Sequence, residues 1–143
     1  MSEGFLAKLR MLFEGDPAVR RVADDPVLSA ELLLLFRMIL ADGAVDEKEL
    51  ATFRRICRDA FGIGEESLKG VIRYLQDFGY ETSGSQALAV FRTLDRQRRI
   101  ELARHLAEIA KSDEDLSEYE VRLLKRTLDV LELEPADLVS GPQ

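Results

Sequence analysis

Three observations predict an all-α fold, a single-domain helical bundle of about seven helices. Apolar residues recur at i, i+3, i+4 and i+7 in one segment after another, and no stretch alternates apolar and polar residues with period two. Asp-Pro, glycine or acid-rich punctuation bounds these segments. The 143 residues suit one domain, which at this size buries roughly 68–70% of the surface its unfolded chain exposes. We therefore expect one unit over residues 1–143, with an N-terminal amphipathic helix in 1–16, a first half over 26–78 and a second over 86–138. Both halves read as helix, acidic loop, helix, arranged around a buried central helix.

Phe5, Leu6, Leu9, Leu12 and Phe13 share one helical face, and the run Gly15-Asp16-Pro17 stops that first helix. Asp25 before Pro26 is an N-cap with proline at the first helical position. From Val27 to Ala41 the chain is apolar around almost the whole circumference, carrying Glu31 and Arg37. A membrane span needs about 20 apolar residues, so this shorter run is a core helix. The next helix runs from Glu47 to Phe61 with Leu50, Phe53, Cys57 and Ala60 inward, and Gly62 ends it. Cys57 on that stripe is a packed thiol. After Gly64 comes a helix with Leu68, Val71, Ile72, Leu75 and Phe78 on one face. The glycine and hydroxyl residues from Gly79 to Ser85 break the chain between the halves. A short helix over Gln86 to Thr93 follows. Asp95 then caps a helix from Arg96 to Lys111 with Ile100, Ala103, Leu106, Ala107 and Ala110 inward and His105 at the border. A helix from Glu118 to Leu131 and a short turn or helix after Glu134-Pro135 complete the chain.

The formal net charge is −7 and the isoelectric point is about 4.8. That balance disfavours nucleic acid and anionic membranes as main partners and favours cations. Arg92, Arg96, Arg98 and Arg99 form a basic cluster without aromatic neighbours, which reads as a solvated face or internal ion pairing. One cysteine cannot make an internal disulfide, and Met-Ser-Glu at the start is unlike a secretory leader, so a cytoplasmic location is expected. No Ser/His/Asp or Cys/His constellation and no phosphate loop is present, and the chain is expected to be non-enzymatic.

Chemistry concentrates in two acidic stretches, Ala41 to Leu50 and Ser112 to Val121, related by a constant offset of 71 residues. At that offset Asp42 meets Asp113, Glu47 meets Glu118, Glu49 meets Glu120 and Arg55 meets Arg126. Composition alone supplies roughly one identity over such a span, so the pattern suggests an internal duplication. Asp46 with Glu49, and Ser117 with Glu120, have the spacing of capping boxes. In these an N-cap side chain takes an early backbone N–H and the later glutamate reaches back. Carboxylates in a first turn also suit the helix dipole. Capping therefore accounts for Glu47, Glu49, Glu118 and Glu120 without a ligand.

Asp42 and Asp113 differ, because each follows the end of an apolar helix, where the dipole disfavours negative charge by about 0.3–1 kcal/mol. Three things can hold them there. These are a local turn bond to backbone, an ion pair with Arg55 or Arg126, or a cation shared with helix-end carbonyls and the glutamate of the next helix. The spacing Asp42-Gly43-x-Val45-Asp46-x-x-Glu49 matches the second half of an EF-hand loop. The first half is missing, since Met38 and Leu40, or Ile109 and Lys111, stand where its first oxygen ligands belong. An ordinary EF-hand is excluded. The candidate metal ligands are Asp42, Asp46, Glu49, Asp113 and Glu120, for a divalent cation such as Ca²⁺, Mg²⁺ or Mn²⁺. They form a site if the two halves bring the loops together or water completes the shell. The other reading is an acidic docking surface, with Glu47 and Glu118, for an unidentified basic or membrane-associated protein partner; self-association as a homodimer is also allowed.

At these residues the chain resembles the TerB-like (tellurite resistance protein B-like) family. The motif is an apolar helix running into A-D-G-x-hydrophobic-x-x-x-E, here Ala41 to Glu49, with a second part from Leu94-Asp95-Arg96 to Asp113 and Ser117-Glu118-Tyr119-Glu120. The resemblance covers about Pro26 to Leu138. The second copy departs from the motif in carrying Glu114 where glycine is usual and Lys111-Ser112 before the aspartate. The resemblance implies an all-helical, cytoplasmic, non-enzymatic module with an acidic surface, linked to tellurite or metal stress and to divalent metal binding.

Overall fold

Two Asp-Pro pairs start the described part of the chain. In each, an aspartate in extended conformation accepts backbone N–H bonds in the first turn, and proline at N1 supplies a preset φ. The computed structural model describes residues 16–40, 46–81, 86, 89–112 and 117–139, with Tyr80 and Glu81 described by backbone alone. The expected helix at Phe5 to Phe13, and Asp42 and Asp113, lie outside the described residues. Seven α-helices are described: α1 (Pro17–Asp24), α2 (Pro26–Ile39), α3 (Glu47–Phe61), α4 (Glu65–Glu81), α5 (Arg96–Lys111), α6 (Glu118–Val130) and α7 (Pro135–Val139). A 3-10 turn at Phe91–Thr93 precedes α5. Among the described residues there is no strand, and the all-α expectation holds.

Helix α2 is the centre. Eleven of its fourteen residues are buried, and α1, α3, α4, α5 and the 3-10 turn all pack on it. Helix α5 is the second hub, meeting α2, α3, α6 and α7. The core contains Leu32, Leu35, Met38, Phe53, Phe91, Leu102 and Leu106, each at most 1% exposed. Phe36 and Phe53 tilt against each other at 5.9 Å between ring centres, a favoured aromatic geometry.

Several local expectations are corrected. Helix α1 falls where the sequence reading placed a stop, although Asp16-Pro17 carries the same start signal as Asp25-Pro26. The inward face of α3 is Glu49, Phe53, Ile56 and Cys57, while Ala60 is exposed. On α5, Leu102 and Ile109 join the buried stripe, because the helix is packed on several sides. Helix α4 continues through Gly79 to Glu81. A Cβ on Gly79 would lie 2.9 Å from Leu33 Cδ1, so this glycine serves close approach of α4 to α2. The Arg37 guanidinium donates to its carbonyl. Gly62 is the expected helix stop, at φ 67°, where residues with a Cβ are strained.

Phe53 is fully enclosed, so Phe53→Ala should lower unfolding free energy by about 3–5 kcal/mol. Urea denaturation checks this, and a loss under about 1 kcal/mol would contradict the packing described.

Candidate functional site

The site is built from the first turns of α3 and α6. At α3, Asp46 Oδ1 accepts from the backbone N–H groups of Lys48 and Glu49 at 2.8 and 3.0 Å. At α6 the capping box is complete. Ser117 Oγ accepts from Glu120 N at 3.1 Å, and Glu120 Oε1 accepts from Ser117 N at 3.0 Å. Carboxylates in both first turns sit where the helix dipole favours them.

Burial adds something capping does not require. Glu49 is 1% exposed and Glu120 is fully buried. A capping glutamate needs one oxygen and can work from the solvated face. Glu120 spends Oε1 on Ser117, while its Oε2 is buried with no hydrogen-bond partner among the described residues. Such an oxygen is costly unless hydrogen bonded, protonated or neutralised by a cation. Glu47 and Glu118, by contrast, are exposed; Glu118 pairs with Arg122 one turn away at 3.3 Å.

A side chain just after the first acidic stretch meets the first residue of the second across the bundle. The hydroxyls of Thr52 on α3 and Ser112 at the end of α5 share a hydrogen bond, and Arg55 pairs with Glu108. Residue 52 lies against 112 and residue 55 against 108, so α3 and α5 run antiparallel here. The start of α3 therefore lies beside the end of α5. Arg55 pairs with Glu108, while Asp42, its other partner considered from sequence, lies outside the described residues. Among the described residues no group of three or more His, Cys, Asp or Glu side chains is placed to hold a metal ion. Of the five candidate ligands, Asp46, Glu49 and Glu120 are described and Asp42 and Asp113 are not.

Other titratable groups serve the core. Cys57 is fully buried and its thiol is pushed up to about 12 by desolvation, which leaves no thiolate near neutral pH. Glu31, on the central helix, is the buried acid that sequence reasoning passed over. Its carboxylate accepts two bonds from Arg98 at 2.7 and 3.2 Å. Burial pushes its pKa up, opposed by Arg98. A lone acid in an otherwise apolar helix was the available signal. The expected internal pairing of the basic cluster is seen in Arg96 with Asp137 and in Arg99 with the Leu131 carbonyl. His105 is half-buried, its ring 5.9 Å from that of Phe61. Its Nδ1 is buried without a hydrogen-bond partner among the described residues, and desolvation lowers its pKa. Glu31, Phe61, Arg98 and His105 border a cleft of about 350 Å³.

A family model described as tellurite resistance protein TerB matches residues 29–140. No curated protein and no solved structure gives a significant match.

Two measurements test these assignments. Arg98→Met leaves Glu31 buried without its guanidinium, and stability at pH 7 should fall by about 1–3 kcal/mol. Because burial raises the Glu31 pKa, the loss should shrink toward pH 4, where the carboxyl protonates; an equal loss at both pH values contradicts the pairing. His105 has a folded pKa below 6.5. Its contribution is fully present above pH 6.5 and lost as pH falls below that value through the folded pKa. Chemical denaturation of His105→Gln should show a flatter pH dependence in that window.

Proposed function

This chain belongs to the tellurite resistance protein TerB family, and we propose that it is a non-catalytic cytoplasmic module of a tellurite or metal-stress response that binds a divalent cation weakly. The observation that carries the reading is the second oxygen of Glu120, buried within the second acidic stretch and without a hydrogen-bond partner among the described residues. A cation offsets the desolvation cost of that carboxylate where neutral packing does not. The Thr52–Ser112 contact supports a shared site, since it draws the start of α3 toward the first residue of the second stretch. Asp42, Asp46, Glu49, Asp113 and Glu120 would hold the ion. These are carboxylate oxygens, the donor type of Ca²⁺, Mg²⁺ and Mn²⁺, with water completing the shell.

The exposure of Glu47 and Glu118 favours a second reading, in which the acidic face docks a basic or membrane-associated partner with no metal bound. Isothermal calorimetry and thermal melting with Ca²⁺, Mg²⁺ and Mn²⁺ separate the two. Metal binding predicts heat and a raised melting temperature with at least one ion, both lost in Asp42→Asn/Asp113→Asn and reduced in Glu120→Gln. No response, or one unchanged by those substitutions, overturns the metal reading. A partner captured without metal, and lost on Glu47→Lys/Glu118→Lys, supports the docking reading instead.

A further inference from the structure

An arginine-lined groove stands out on a chain of net charge −7. It encloses about 710 Å³ between the C-terminal end of α2 and one face of α6, lined by Arg37, Leu40, Tyr119, Arg122, Leu123 and Arg126. Tyr119, Arg122, Leu123 and Arg126 recur at helical spacing, so α6 presents them as one stripe. Among the described residues that line it, none is acidic. Leu40 and Tyr119 are 40% and 64% exposed, two of the large apolar side chains left uncovered among the described residues. Among the described residues Arg122 is held only by the exposed Glu118 one turn away, a pair worth little in water and readily exchanged. Arg126 makes no ion pair with a described residue.

We propose that this groove docks an acidic, leucine-type apolar peptide segment of a partner protein in extended conformation. Charge complementarity selects carboxylates, and the arginine fork favours them in bidentate pairs. The spacing selects the conformation. Arg122 and Arg126 are one turn apart, about 6 Å along the helix, close to the roughly 6.6–6.8 Å between alternate residues of an extended chain. Acids at alternate positions then meet the two guanidiniums. The apolar residue between them points to the opposite side, toward Leu40 on the α2 wall of the groove. A duplex or a vesicle fits less well, because net charge −7 repels both away from this one concave patch.

The test uses the full chain and a fluorescein-labelled octapeptide of alternating glutamate and leucine, followed by anisotropy. Saturable binding is expected, weakening with salt as exposed charge pairs do. It should fall at least about tenfold in Arg122→Glu/Arg126→Glu, which removes two charge-assisted contacts. Leu40→Ser should weaken it as well. All three substituted side chains are exposed, and unchanged circular dichroism melts confirm that the fold is kept. The same peptide with glutamine for glutamate should not bind. Absence of binding, equal binding by the double variant, or tighter binding to a DNA 16-mer or phosphatidylserine vesicles overturns the proposal. So does a wild-type dimer in sedimentation that the double variant loses, since the groove then belongs to a second copy. Metal titrations leave this result unmoved, which keeps it distinct from the cation reading.

Discussion

Helix α2 buries eleven of its fourteen residues, and a helix apolar around its whole circumference is stable only when other elements cover every side. That requirement sets the architecture. Helices α1, α3, α4 and α5 and the 3-10 turn take the available faces, and Gly79 lets α4 come close enough to do so. The same burial makes Glu31 the costliest group in the helix, and Arg98 of α5 answers it with two charge-assisted bonds. A buried pair of this kind adds little stability compared with an apolar pair, yet losing one partner is expensive. Its two bonds tie α5 to α2 across 67 residues of chain.

The positioning of α5 carries the site. Its C-terminal end lies beside the start of α3 through Thr52 and Ser112 and through Arg55 and Glu108. Glu49 and Glu120 occupy equivalent first-turn positions and both are buried. The helix dipole, and at Glu120 the closed capping box, explains why a glutamate stands there. It does not explain why that glutamate is removed from water, and this difference separates Glu49 and Glu120 from the exposed Glu47 and Glu118.

The charge pattern is also segregated. Leu40 lines the basic groove and directly precedes the first acidic stretch, while Tyr119 lines it two residues after the N-cap Ser117. Helix α6 thus buries the Glu120 carboxylate at its first turn and shows Tyr119, Arg122 and Arg126 on its open face. One short helix presents two chemistries because successive residues turn by about 100°.

By itself the sequence determined the helical class, the central helix, most helix boundaries, the Cys57 packing and the first-turn capping. These follow from local rules of periodicity, capping residues and breakers, which need no knowledge of neighbours. Helix α1 is equally legible from its Asp16-Pro17 start. Only tertiary structure decided which acids are dry and which are wet, since burial depends on what packs over a position and not on its spacing. It also decided that Gly79 is a contact, that Leu102 and Ile109 of α5 are buried, and that Arg98 answers Glu31 from 67 residues away. Contacts at that separation leave no periodic trace in the chain, so they become visible only once the helices are packed.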